Sequence, residues 1–272
     1  KTPAYLAVSK GERFIHTNNC LGCHKIDGEG GAIWSSTADW LGEVAGSENS
    51  QDISLVQSFS PPLLNTEGRK VQPDWLLNWF QNVSMIRPHL QVRMPSYDFT
   101  HQEWNSVIDY FQSKDGMSLT YENPHNFSKA SNSYLAGQKV QEEGACINCH
   151  FYGSMKPRQD ALTWSPNLVL TKERLRPEWL IEWFNNPQSV MPGTKMPAPY
   201  IPVDEPINDV IEYWGPEVAA FVGDTTAMLY GLVDWMWGLE GVEDVSAIVK
   251  THLESKGYGF ITEDEDEWEE EW

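Results

Sequence analysis

The pentapeptide Cys20-Leu21-Gly22-Cys23-His24 recurs as Cys146-Ile147-Asn148-Cys149-His150, and the two together hold every cysteine of the chain. The pattern C-x-x-C-H marks covalent attachment of c-type haem. The two thiols add to the haem vinyl groups, and the His that follows ligates the iron from one side. Two intervening residues let a single turn reach both vinyl positions while the imidazole points at the metal. The chain is therefore expected to carry two covalently bound haem c groups, one on Cys20, Cys23 and His24, the other on Cys146, Cys149 and His150.

Other uses of cysteine fit poorly. Zinc sites pair cysteines separated by a few to about 20 residues, whereas more than a hundred residues lie between these pairs and each has its own trailing His. A thioredoxin-like redox pair follows a strand in a βαβ pattern, and neither motif has such surroundings. Disulfide frameworks belong to short, cysteine-dense chains; this one has four cysteines in 272 residues.

A chain of this length forms one large domain or two small ones. Its 13 Trp, 10 Tyr and 10 Phe supply core filling and also the flat apolar walls that a small haem domain needs. The formal net charge is −20, and the segment from Glu240 to Trp272 carries 12 acidic against 2 basic residues. Its run at 263–271 repels itself and is expected to be solvated, either as a solubilising tail or as an electrostatic attractant for a basic partner. Nucleic acid is excluded as a partner, because phosphate binding needs the opposite sign. No stretch of 18 uncharged apolar residues is present, so no membrane span is expected. Haem c attachment takes place outside the cytoplasm, so a periplasmic or other extracytoplasmic protein is expected, with a targeting segment or membrane anchor removed ahead of Lys1.

The chain also repeats itself. Gly11 precedes Cys20 by nine residues, and Gly137 precedes Cys146 by nine. Ser60-Pro61-Pro62-Leu63 is matched by Ser165-Pro166-Asn167-Leu168, the run Pro73 to Phe80 by Pro177 to Phe184, and Arg93-Met94-Pro95 by Lys195-Met196-Pro197. The first copy carries an extra loop of about 21 residues, near 34–59. Loops of that length are often functional.

Helix signals dominate. Ser9 with Glu12 reads as a capping box that starts a helix running to the first motif, and Thr100 with Glu103 as another. Pro73 and Pro177 suit first helical positions, and the apolar faces Trp75, Leu76, Trp79, Phe80 and Trp179, Leu180, Trp183, Phe184 follow. The polar stretch 115–133 reads as a linker. A long helix is expected from about Glu217 to Leu239. Strand signals are scarce, so the fold class is all-α.

The order C-x-x-C-H, Pro-x-Leu turn, Trp-bearing helix, Met-Pro resembles class I cytochrome c, and two such units in one chain resemble a dihaem cytochrome c. The resemblance covers roughly residues 9–113 and 134–200. It implies two tandem class I cytochrome c-like helical domains plus an acidic C-terminal extension: 1–114 with the insertion at about 34–59, a linker at 115–133, 134–240, and the extension at 241–272. In that family the sixth iron ligand is a Met thioether, which implies the axial pairs His24 with Met94 and His150 with Met196. A soft thioether favours ferrous iron and raises the reduction potential. Met191-Pro192 is a rival for the second haem, Met85 for the first, and His89 a bis-His alternative. The family also hydrogen-bonds the ligating His to the carbonyl of the turn Pro, here Pro61 and Pro166. Trp75 and Trp179 either bond haem propionates or pack a helix face.

The reading that follows is electron transfer, not catalysis: with both irons six-coordinate, no position is open to substrate. The chain is expected to serve redox protein partners that present a basic docking surface, as a free carrier or as part of a membrane electron-transport complex of respiration or photosynthesis. The alternative is a dihaem peroxidase-type enzyme with one labile haem ligand.

Overall fold

The computed structural model describes residues 2–46, 51–90 and 93–257. It is an all-α fold; its strands β1 (Lys25–Ile26) and β2 (Glu29–Gly30) form one short antiparallel pair. The first half contains α1 (Pro3–Thr17), α2 (Cys20–Cys23), α3 (Ile33–Ala45), α4 (Ile53–Phe59), α5 (Glu67–Lys70), α6 (Pro73–Gln81) and α7 (His101–Lys114). The second contains α8 (Asn132–Glu143), α9 (Thr171–Arg174), α10 (Pro177–Asn185), α11 (Pro187–Val190), α12 (Ile207–Trp214), α13 (Pro216–Ala219), α14 (Thr225–Trp237) and α15 (Ser246–Ser255).

Local chemistry sets the helix starts. The capping box of α7 is present in both directions between Thr100 and Glu103, and α6 and α10 each begin on a proline that lacks the N–H a first turn cannot use. The expected start of α1 at Ser9 is corrected. Thr2 caps this helix by accepting from the Tyr5 N–H, Pro3 occupies its first turn, and Ser9 lies inside it. The expected helix from Glu217 to Leu239 is divided. Gly223, at φ +85°, turns the chain, and the Asp224 carboxylate then caps α14 by accepting from the Ala227 N–H at 2.9 Å.

In each half the first helix crosses a later one at a glycine, α1 on α7 and α8 on α14. A Cβ on Gly11 of α1 would collide with Tyr110 of α7, and one on Gly137 of α8 with the Gly231 carbonyl of α14. These are the glycines found nine residues ahead of each cysteine motif. The spacing therefore marks the point of closest helix approach and fixes how far the chain runs from that crossing to the thiols.

The extra stretch near 34–59 is not an irregular loop. It contains α3 and α4, which enclose a small core of their own around Trp34, Leu41 and Val56. Asp52 caps α4 by accepting from the backbone of Ser54 and Leu55. The C-terminal extension also begins as folded chain. Val245 and Val249 of α15 pack on Phe151 and Trp164, while the acidic run 263–271 lies outside the described residues. Among the described residues no helix is long and apolar enough to cross a membrane.

The two halves share one apolar core and meet along a seam with near two-fold symmetry. Val71 and Leu175 form an antiparallel bridge. The Gln72 N–H donates to the Arg174 carbonyl at 2.8 Å, and the Arg176 N–H to the Lys70 carbonyl at 2.9 Å. Side chains repeat the exchange: Gln72 Nε2 donates to the Leu175 carbonyl at 2.7 Å and Arg176 Nε to the Val71 carbonyl at 3.2 Å. The polar stretch 115–133 is anchored by His125, whose Nε2 lies 2.6 Å from the carboxylate of Asp234, a buried residue of α14.

Two stability measurements check this description. In urea denaturation, Gly137→Ala is expected to cost about 3 kcal/mol, because the crossing must open. Gly116→Ala, in open space at φ +71°, is expected to cost about 1–2 kcal/mol from backbone strain alone. Equal midpoints would contradict the crossing. His125→Ala leaves a buried carboxylate without its partner and should cost about 1–3 kcal/mol while speeding proteolysis within 115–133; an unchanged cleavage rate would contradict the anchor.

Candidate functional site

Each C-x-x-C-H segment is one tight turn closed by its own backbone. The N–H of His24 donates to the Cys20 carbonyl at 2.9 Å, and that of His150 to the Cys146 carbonyl at 2.9 Å. The residue before each first cysteine is left-handed, Asn19 at φ 51° and Ala145 at φ 50°. Asn tolerates this conformation; for Ala it costs about 1–2 kcal/mol. The same unusual turn, held at the same position in both halves, swings the chain off α1 and α8 and aims the cysteines. Burial raises the thiol pKa values, that of Cys146 to about 11 and those of Cys20 and Cys149 in the same direction. Reactive thiolate chemistry needs the opposite shift.

The two imidazoles are oriented alike. His24 donates from Nδ1 to the Pro62 carbonyl at 3.0 Å, and His150 from Nδ1 to the Pro166 carbonyl at 2.8 Å. Burial lowers both ring pKa values, so the rings are neutral, with the proton on Nδ1 and the lone pair on Nε2. That is the state a metal-ligating His requires. Pro166 is where the sequence put it, but the expected Pro61 is corrected to Pro62. The backbone explains the shift. The Leu64 N–H donates to the Lys25 carbonyl just as the Leu168 N–H donates to the Phe151 carbonyl, so Pro62 and Pro166 are the equivalent residues. Counting back eleven residues from Pro73 and Pro177 finds the same pair in the sequence.

Met94 and Met196 are half-buried against the shared core, to which the stacked indole pairs Trp75–Trp79 and Trp179–Trp183 also belong. The Trp183 Nε1–H points at the Met196 sulfur at 2.8 Å. The equivalent Trp79 instead donates to the Ser84 carbonyl at 3.1 Å. The Met85 side chain packs in the cluster under α15, with Phe151 and Trp164 of the other half. His89 spans the halves, with Nδ1 2.9 Å from the Trp164 carbonyl and Nε2 2.9 Å from that of Ser58; neither nitrogen is left for a metal. Trp179 is buried and donates to Thr66 Oγ1 at 3.3 Å, which takes the N–H that a propionate would have used. Trp75 is half-buried.

The residues fit a haem c. Each half offers two thiols on one turn, a neutral imidazole turned by a carbonyl, and a thioether on a later segment. A buried guanidinium nitrogen, Arg174 Nε, has no hydrogen-bond partner among the described residues, as expected where an anionic group is to be received. Among the described residues no three His, Cys, Asp or Glu side chains converge on a metal position, so the cysteine pairs do not make a shared cluster. A surface cavity of about 300 Å3 lies against Asp74, Asp109 and Tyr121, and one of about 190 Å3 lies against Leu21 of the first motif, with Glu12, His16 and Asp27.

The chain is similar to a nitric oxide reductase subunit of Halomonas halodenitrificans, 26% identical over 121 residues, which is 44% of this chain and 66% of that protein. It thus spans just under two thirds of that relative's length. No family model and no solved structure matches.

Proposed function

We propose that the chain is a dihaem c-type cytochrome that moves electrons between redox proteins outside the cytoplasm. The observation that carries this reading is the twofold occurrence of one arrangement: left-handed residue, C-x-x-C-H turn, and imidazole donating from Nδ1 to a proline carbonyl. In this reading residues 1–114 and 134–240 are the two haem domains, joined by 115–133. Cys20, Cys23, Cys146 and Cys149 hold the haems; His24 with Met94 and His150 with Met196 are the axial pairs. When bound, the two haems supply the one-electron iron couples.

The protein's own part is to hold the ligands and keep water out. The carbonyls of Pro62 and Pro166 stop either imidazole from rotating. Both methionines pack on the apolar core, Met196 with an indole against it, and exclusion of water around a thioether-ligated iron would keep the potential high. The contact from Trp183 supports Met196 rather than Met191 as the second thioether, and the packing of Met85 on Phe151 and Trp164 of the other half supports Met94. The similarity to a protein named as a reductase subunit supports service as one part of a larger redox complex, and the acidic chain suits a basic partner.

Carbon monoxide added to the reduced protein distinguishes this from a peroxidase-type enzyme. The wild type is expected to bind none rapidly, and rapid binding at either haem would overturn the carrier reading. Met94→Ala and Met196→Ala should each open one haem to carbon monoxide and lower its potential by roughly 0.1 V or more, within the span of about 0.8 V that axial ligands control. Met191→Ala and Met85→Ala should do neither. Trp183→Phe removes the N–H that draws electron density from the Met196 sulfur. It should lower one potential by at most a few tens of mV, the scale of one hydrogen bond. Trp79→Phe should leave both potentials in place.

A further inference from the structure

The seam between the halves buries more positive charge than it balances. Lys70 is 7% exposed. Its ammonium lies 3.0 Å from the Glu67 carboxylate. Arg174, its equivalent across the two-fold, has a buried Nε with no hydrogen-bond partner among the described residues. Arg87 donates from Nη1 to the Ser58 carbonyl at 3.3 Å. Lys70 feels the charges of both Arg174 and Arg87, and Arg87 feels that of Arg174. Glu67 is the carboxylate that acts on Lys70 and Arg174. Burial and this mutual repulsion lower Lys70 and bring Arg87 down to about 10; burial lowers Arg174. Three cations against one carboxylate in a poorly hydrated seam is a costly arrangement unless further anions arrive.

The cations are also crossed. Lys70, from the first half, lies over the Trp179 ring of the second at 5.7 Å; Arg174, from the second, lies over the Trp75 ring of the first at 5.4 Å. Trp179 stacks on Trp183 at 5.2 Å, and Trp183 reaches the Met196 sulfur. On the other side, Arg87 and Glu67 both act on the His24 ring. The charges therefore act on His24 directly in the first half and connect to Met196 in the second through two stacked indoles.

We propose that Lys70, Arg87 and Arg174 form one part-buried cationic site, built from both halves, that receives carboxylates of both haems and ties the two redox levels together. This rests on the dihaem reading. The missing anions are the propionates that each haem brings, and no cation belongs to one haem alone. Removing one positive charge makes both ferrous forms harder to reach.

The test is an optical redox titration of the haem-loaded protein carrying Arg174→Gln, with Arg174→Lys as the conservative control. Arg174→Gln should lower both potentials, each by about tenfold in the reduced-to-oxidised ratio at fixed ambient potential, or about 59 mV for one electron. Arg174→Lys should restore most of both shifts. A shift confined to one haem would overturn the shared site, and so would no shift. Inorganic phosphate tests the other source of anion. If it raises the thermal midpoint of the wild type and not of Arg174→Gln, the cations serve a free anion and the proposal is overturned. Haem content and carbon monoxide closure, read on the same samples, separate the outcomes. Two closed haems with unmoved potentials overturn the shared site alone, whereas fewer than two haems overturn the dihaem reading itself.

Discussion

The bond from a buried imidazole to a proline carbonyl is the interaction on which the arrangement turns. It joins two segments that are far apart in sequence, 38 residues in one half and 16 in the other. It also fixes which ring nitrogen keeps its proton. Without it, the C-x-x-C-H turn would present a rotating imidazole, and burial would act on a ring of undefined tautomer. With it, the motif and the proline turn become one rigid unit. The glycine-only helix crossings hold that unit at a set distance from the core, and the left-handed residue ahead of each first cysteine sets its direction. That Ala145 accepts this conformation, which favours glycine or asparagine, shows how firmly the surrounding chain dictates the turn.

Much of this was legible in the letters, for identifiable reasons. The cysteine motifs and the Pro-started helices are strongly local signals, and the all-α class followed from the helix signals together with the scarcity of strand signals. The assignment of Pro61 failed because two adjacent prolines gave two alignments of equal appearance. Only the distance back from Pro73, or the backbone bond at Leu64, separates them. Ser9 with Glu12 matched a capping box, but a better cap at Thr2 with Pro3 lay upstream. The break near Gly223 was signalled by Gly-Asp, a turn followed by a cap, yet was outweighed by the apolar run after it. The insertion read as a loop because α3 and α4 bury their faces mainly on each other, a relation no single periodicity reveals.

The seam was not legible at all. Lys70, Arg174 and Gln72 look like ordinary surface residues in a one-dimensional reading. They are buried or paired only because the two copies meet face to face, so that each contributes the same positions to the other. A repeat that meets itself across a two-fold turns local charges into shared ones. This gives the halves a physical reason to remain in one chain: the short α5 and α9 segments, which each supply a cation, complete their hydrogen bonding on one another.

The central claim is that one chain holds two haems, each attached through its own pair of thiols. Intact-mass measurement on the purified protein, produced in a host that attaches haem c, tests it most directly. The account predicts a chain heavier by two covalently bound haem groups, reduced to one when Cys20 and Cys23 or Cys146 and Cys149 are replaced by Ala. A wild-type mass with one haem or none would contradict it.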